Sequence, residues 1–123
     1  MAQMQVELVA PDRYVWSGPA TMVVAKTSEG DLGVLPGHAP LLAVLVNGRV
    51  EIRPVDGEPV VVAVLGGFLS VADDKVSLLA EAAELAEEIS VAEAEQALRE
   101  AEGQGDADAA ARARARLSVA GGR

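Results

Sequence analysis

The chain lacks cysteine altogether, and it has few aromatic and few basic residues. Without cysteine it cannot form a disulfide, a zinc–thiolate site or a cysteine nucleophile. Three aromatic residues, Tyr14, Trp16 and Phe68, are too few for a surface that stacks bases. Ten Lys and Arg stand against 19 Asp and Glu, which gives a net charge of −9 and repels phosphate backbones. We therefore expect no nucleic-acid partner.

Long apolar runs are also missing. Half of the residues are apolar, but no uninterrupted run approaches the ~20 residues that a bilayer span needs. The first residues lack a basic region followed by an apolar stretch, so we do not expect a signal peptide. Any association with a membrane is expected to go through a partner and not through direct insertion. The length of 123 residues favours one domain with an appendage.

The chain has a single histidine, His38, in the stretch GDLGVLPGHAPLL at residues 30–42. A catalytic histidine needs a nucleophile or an orienting carboxylate, and no nucleophile lies at a recognisable spacing. A metal site normally needs three or four ligands, and no second histidine exists. The flanking prolines restrict the backbone and favour a loop of fixed shape. We therefore predict no catalytic residue, metal or cofactor, with a small enzyme that uses His38 as the alternative.

The first two thirds of the chain have the pattern of β-structure. Residues 49–53 alternate polar and apolar side chains, which predicts a strand with one wet face. Asp56-Gly57 is a hairpin turn signal, and the continuous apolar run 59–65 predicts a strand buried on both faces. Gly66-Gly67 indicates a bulge or a close backbone contact. Eight to ten short strands with frequent turns favour a β-sandwich or flattened barrel.

The last third accumulates Ala, Glu and Arg, which favour helix. Ser90 and Glu93 fit a capping box at the start of a first helix that reaches about residue 102. Gly103-Gln104-Gly105 is expected to break it, and Asp106 is the expected N-cap of a second helix that reaches about residue 119.

The expected faces of these helices carry mostly alanine, with Leu98 and Leu117 as large apolar residues. Such faces bury little area, so the hairpin either detaches or packs permanently, and the composition leaves both open. Arg112, Arg114 and Arg116 form the one basic cluster. At helical spacing the first and third share a face. They are either a solvated helix surface or a contact to an acidic partner.

From the residues alone we interpret the chain as a non-enzymatic interaction subunit with a β domain and a helical hairpin. Three stretches, in this order, then carry a resemblance to a known family: 9–18 (VAPDRYVWSG), 30–41 (GDLGVLPGHAPL), and 66–71 (GGFLSV) followed by 79–84 (LAEAAE). The chain resembles the epsilon subunit of the bacterial F-type ATP synthase, the equivalent of the mitochondrial delta subunit. The alternative is a β-sandwich adaptor of another assembly.

The resemblance implies a mainly β plus α fold, with a ten-stranded β-sandwich over residues 1–86 and a two-helix hairpin over 87–123, whose end we expect to be a short frayed tail. It implies a non-catalytic rotor subunit of a proton-translocating ATP synthase. The expected partners are the gamma subunit, the c-ring subunits and, through the hairpin, the alpha-beta catalytic head. The expected location is the cytoplasmic face of the bacterial cell membrane, as a peripheral part of the complex. The hairpin is expected to regulate ATP hydrolysis.

The resemblance also implies roles for particular residues. Glu29 and Asp31 are the expected contacts to the c ring. A rotor interface is expected at His38, Pro40, Leu41 and Leu42. Arg112, Arg114 and Arg116 are the candidate contacts to acidic helices of the beta subunit.

The chain departs from the family pattern at the residues with which several relatives bind ATP. Several relatives bind ATP through a pattern similar to I/L-D-x-x-R-A at the start of the first helix. In this chain the corresponding residues 89–94 are ISVAEA, so Ser90 replaces the aspartate and Glu93 replaces the arginine. Losing a cation and gaining an anion disfavours a triphosphate. We therefore predict no useful ATP binding.

Overall fold

The computed structural model describes residues 2–121, which form nine strands, a short 3-10 helix and two α-helices. The strands are β1 (Met4–Ala10), β2 (Arg13–Thr27), β3 (Gly30–Val34), β4 (Leu41–Leu45), β5 (Gly48–Pro54), β6 (Val60–Val64), β7 (Gly67–Ala72), β8 (Lys75–Ala80) and β9 (Ala83–Leu85). The 3-10 helix is Ala86–Glu88, and the α-helices are α1 (Val91–Gln104) and α2 (Ala107–Gly121).

The strands form a closed, two-layered sandwich in which β2 belongs to both layers. The pairing order is β1-β8-β7-β4-β2-β5-β6-β9, with β3 on β2 and β1 also on β2. The first half of β2 pairs with β1, whereas its second half pairs with β5 and β3. The expected sandwich is confirmed. Nine continuous strands stand where ten were expected, because the 15-residue β2 serves as a strand in each layer.

Every second side chain of the alternating strands points inward and fills the space between the two layers. In β5 the inward Val50 and Ile52 are buried while Arg53 is exposed, as the alternation predicts. The predicted double burial of the run 59–65 is also confirmed in β6: Val62 and Val64 lie in the main core, whereas Ala63 is buried in a second cluster with Val119 of α2. A helix therefore covers the outer face of this strand.

Gly67 shows why a glycine pair follows β6. A Cβ atom at Gly67 would lie 2.0 Å from the carbonyl oxygen of Leu79 on β8, and the glycine has φ +134°. Only glycine allows β7 and β8 to come this close at that backbone angle. The predicted close backbone contact is confirmed.

The two helices begin where the capping residues predict. The Ser90 hydroxyl accepts a hydrogen bond from the Glu93 backbone N–H (3.2 Å), and Asp106 Oδ1 accepts one from the Ala109 N–H (3.0 Å). The predicted break over Gly103-Gln104-Gly105 is confirmed: α1 continues to Gln104 and ends at Gly105, whose φ of +69° is left-handed. No helix in residues 2–121 is long and apolar enough to cross a bilayer.

Helix α2 lies on the outer face of β5 and β6, and α1 lies on α2. Among residues 91–120 of the hairpin, the buried side chains are alanines with one exception, Val119. The change from strand to helix occurs between Leu85 and Val91, across the 3-10 helix. The hairpin is therefore docked on the sandwich through a contact made of small residues.

Candidate functional site

The two outer faces of the sandwich differ. Helix α2 covers β5 and β6, whereas in the described structure no helix covers the outer face formed by β1, β4, β7, β8 and the first half of β2. We call the second surface the open sheet face. Sheet faces exposed to water normally carry polar side chains, so its composition indicates whether a partner is expected there.

One line of side chains across the open sheet face is apolar. Strand register places Tyr14 opposite Val9, Val9 opposite Leu79, Leu79 opposite Phe68, and Phe68 opposite Val44. We call these five residues the apolar row. Tyr14 is 72% exposed, Phe68 and Leu79 are each 53% exposed, and Val44 is 47% exposed. Exposed apolar side chains that adjoin one another mark an interaction surface more often than isolated ones do.

The neighbouring line across the same face is polar apart from one residue. Leu42 is 73% exposed and lies opposite Ser70, which lies opposite Ser77. The Ser77 hydroxyl donates to Glu7 Oε1 at 3.3 Å. The open sheet face thus combines an apolar row with a polar margin, as protein interfaces do.

Leu41 and Leu42, two of the expected rotor-interface residues, point to opposite sides of β4. Leu42 lies on the open sheet face, but Leu41 points inward and packs against the core. Sequence reasoning missed Val44, Phe68 and Leu79. Each is an apolar residue at an outward position of an alternating strand, and this was the available signal.

His38 lies in the loop between β3 and β4 and contacts backbone. Its backbone N–H donates to the Leu35 carbonyl at 3.1 Å, and its ring Nδ1 lies 2.7 Å from the Ala39 carbonyl oxygen. The Gly37 N–H donates to Asp74 Oδ1 at 2.7 Å, which fixes the loop to the β7–β8 turn. These contacts give the histidine loop a set shape, and they favour a structural histidine over a catalytic one.

Glu29 and Asp31 lie at the other end of β3 from this loop. Both are exposed. The turn that holds them is fixed by Thr27, whose hydroxyl donates to the Gly30 carbonyl at 2.7 Å and accepts from the Glu29 N–H at 3.2 Å. The N–H of Ser28 donates to the carbonyl of Val44 at 3.0 Å. This acidic turn is therefore adjacent to the apolar row, and the expected c-ring contacts are separated from His38 and Pro40 by the length of a strand.

The three arginines of α2 each have a carboxylate partner within the chain. Arg112 pairs with Asp108 of the same helix at 3.0 Å, and Arg114 pairs with Glu102 of α1 at 3.0 Å. Arg116 pairs with Glu84 of β9. In this conformation all three cations are engaged.

A further arginine–carboxylate contact fixes the segment that leads to the hairpin. Arg13 donates to both oxygens of Glu88, with Nη1–Oε2 at 2.7 Å and Nη2–Oε1 at 2.6 Å. The Leu85 N–H also donates to Glu88 at 2.9 Å. The hydrogen bond from Arg13, and then that from Leu85, lowers the pKa of Glu88 to about 2. Sequence reasoning did not find this contact, whose two partners are 75 positions apart.

A groove of about 660 Å³ runs between α2 and strands β2 and β5. Four cationic side chains line it: Lys26, Arg49, Arg53 and Arg114. Arg49 and Arg53 pair with Glu51 at 3.4 and 2.7 Å, and the hydrogen bonds from Arg53 and then from Arg49 lower the pKa of Glu51. Arg49 and Arg53 thus share one carboxylate of the groove, whereas Arg114 pairs with Glu102 of α1 outside it. Among residues 2–121 no group of three or more His, Asp or Glu could hold a metal ion.

Comparison with known sequences identifies the family. Residues 3–86 match the family described as ATP synthase, Delta/Epsilon chain, beta-sandwich domain. The chain is 59% identical over 122 residues to the ATP synthase epsilon chain of Streptomyces coelicolor, covering 99% of this chain and 98% of that one. It is 57% identical over 100 residues to the epsilon chain of Corynebacterium diphtheriae, covering 80% of this chain and 81% of that one.

Solved structures agree with the sequence comparison. A chain in the cryo-EM structure of the Euglena gracilis mitochondrial ATP synthase, OSCP/F1/c-ring in rotational state 1, superposes with a TM-score of 0.78 at 25% identity. The match covers 98% of this chain and 79% of that one. A chain of the Tetrahymena thermophila mitochondrial ATP synthase central stalk and c ring shares the fold, with a TM-score of 0.59 at 22% identity over 69% of this chain and 68% of that one. The chain therefore belongs to the ATP synthase delta/epsilon chain family.

Proposed function

We propose that the chain is a non-catalytic central-stalk subunit of a proton-translocating ATP synthase. In this proposal the sandwich couples rotation of the c ring to the gamma subunit and the catalytic head. The observation that carries it is the apolar row, because an uncovered line of five apolar side chains is suited to a permanent protein partner. The subunit acts peripherally, at the cytoplasmic face of the cell membrane.

The gamma subunit is the proposed partner of the open sheet face. The residues of the apolar row lie on paired strands and are therefore ordered before a partner binds. Because of this, little conformational entropy is lost on assembly. The polar margin around Ser70 and Ser77 supplies groups that orient the partner. Leu42 is proposed to extend the apolar contact at the edge, whereas Leu41 packs against the core.

The acidic turn is the proposed contact to the c ring. Glu29 and Asp31 are exposed carboxylates on a turn whose backbone is held by Thr27. Because Ser28 is bonded to Val44, the turn continues the surface of the apolar row, so one subunit can contact both partners side by side. His38 and Pro40 lie at the far end of β3 and are proposed to contact the rotor separately.

The hairpin is proposed to regulate ATP hydrolysis by leaving the sandwich and contacting the catalytic head. Docking through alanines buries little area, which keeps release accessible. Arg112, Arg114 and Arg116 are the proposed contacts to acidic helices of the beta subunit. Since each is paired within the docked chain, this contact requires the hairpin to rearrange.

Hydrolysis of ATP by the cognate alpha-beta-gamma core tests this function. The core is measured with the full chain and with a chain that ends after Glu88, which keeps the Arg13–Glu88 contact. Slower hydrolysis with the full chain alone supports regulation by the hairpin. If both forms bind and neither slows hydrolysis, regulation is refuted and coupling remains. Failure of both forms to bind the core refutes the central-stalk proposal itself.

A further inference from the structure

Helix α2 is held on the sandwich along a narrow contact. Grooves of about 660 and 810 Å³ open between the helix and the neighbouring strands. The buried side chains of α2, which packs against both α1 and the sandwich, are Ala110, Ala113, Ala115 and Val119. An alanine contributes one methyl group to such a contact, so alanines alone stabilise docking weakly.

Val119 is larger than the buried alanines of α2, and it lies in the last turn of the helix. It is 0% exposed and packs in a cluster with Ala63 of β6 and Ala86 of the 3-10 helix. Val61 and Ile89 border this cluster. The apolar part of the docking contact is therefore concentrated beside the segment that connects the sandwich to the hairpin.

Arg116 lies three residues before Val119, on the same side of the helix. Its Nε donates to Glu84, which is fixed on β9 by pairing with Ala63 of β6. The two side chains are 30% and 32% exposed, so water shields the pair only in part. Of the three arginine pairs on α2, this is the one that joins the hairpin to the sandwich, because the other two lie inside the hairpin.

The opposite end of α2 is held less firmly. There Asn47 Nδ2 donates to Asp108 Oδ1 at 2.9 Å, and this hydrogen bond is exposed to water. Helix α1 rests on α2 and adds no substantial contact to the sandwich. The two contacts to the sandwich that are larger than an alanine methyl group and at least partly buried, those of Arg116 and Val119, thus lie in the last two turns of α2.

We propose that Arg116, Glu84 and Val119 form a closing latch that keeps the hairpin on the sandwich. Arg116 has two uses that exclude each other, because its guanidinium pairs with Glu84 when the hairpin is docked and is free for an acidic surface only after release. Any acidic partner of the hairpin must therefore compete with Glu84. This second use rests on the proposed regulatory function, whereas the latch itself is a property of the isolated subunit.

Spin labels test the latch in the full chain. Since the chain has no cysteine, two introduced cysteines, at Asp56 in the sandwich and Glu95 on α1, carry the labels on exposed positions. Pulsed dipolar spectroscopy then measures the fraction of molecules in which the two labels have moved apart. We expect R116Q to raise the ratio of open to docked molecules about two- to fivefold, the range for loss of one ion pair. The matched control, R99Q, removes the same charge from an exposed position on α1 and should leave the ratio unchanged.

Glu84→Gln and the double variant complete the test. Glu84→Gln should open the hairpin as far as R116Q, and the double variant no further, because both changes remove the same pair. Val119→Ala should also raise the open fraction without lowering the melting temperature of the sandwich. Equal ratios in R116Q and R99Q, or additive effects in the double variant, would overturn the latch. If R116Q opens the hairpin but leaves hydrolysis by the assembled complex unchanged, the latch stands and the regulatory proposal fails.

Discussion

Phe68→Ala is expected to weaken binding to the gamma-containing core without unfolding the sandwich. The ring is 53% exposed in the free chain, and an aromatic side chain offers about 200 Å². A partner that covers the ring therefore removes about 100 Å² from water, which contributes about 2.5 kcal/mol at 25 cal/mol per Å². We expect the dissociation constant to rise by up to roughly 70-fold. Since Leu69, and not Phe68, points into the core, the melting temperature should change little.

Isothermal titration of the chain into the cognate alpha-beta-gamma core measures this change. A matched pair of valines supplies the control, because Val44 of the apolar row and Val91 of the hairpin are each 47% exposed. Val44→Ala should weaken binding, whereas Val91→Ala should not. The reasoning fails if a folded Phe68→Ala variant binds within twofold of the natural chain, or if the two valine variants lose equal affinity.

Three further predictions concern stability and ligand binding. Gly67→Ala should lower the free energy of unfolding in urea by about 3 kcal/mol or more, because its Cβ would overlap the Leu79 carbonyl. The control is Gly57→Ala, where φ is also positive (+100°) but the space around the glycine is open, so the free energy of unfolding should fall by less. An equal loss in both variants would contradict the steric reason. The pKa of Glu88 is about 2 in the folded chain, against an ordinary value of 4.5, so its contribution to stability is complete above pH ~4.5 and is lost as the pH falls towards 2. Glu88→Gln should flatten this part of the pH profile of urea unfolding, and an unchanged slope would count against the Arg13 contact. Calorimetric titration with ATP should detect no binding, and a sub-millimolar affinity would refute that expectation.

Short-range signals predicted the elements of this fold. The alternation around Val50 and Ile52, the Gly66-Gly67 pair, and the caps at Ser90 and Asp106 act within a few residues, and each structural counterpart is where the sequence predicts it. The family also followed from short stretches of sequence. Within the predicted break, Gly105 and not Gly103 ends α1, because a single glycine is tolerated inside a helix, whereas the left-handed Gly105 ends it.

Tertiary structure alone decided where the functional surfaces lie. Tyr14, Phe68 and Val44 join one apolar row only because strand register aligns them, and register depends on closure of the whole sandwich. The choice of Glu84 as partner for Arg116 depends on where α2 docks, which no local pattern determines. The sequence by itself determined strands, caps and family, since these follow from neighbouring residues. The open sheet face and the closing latch arise from contacts between distant residues, which exist only once the chain has folded.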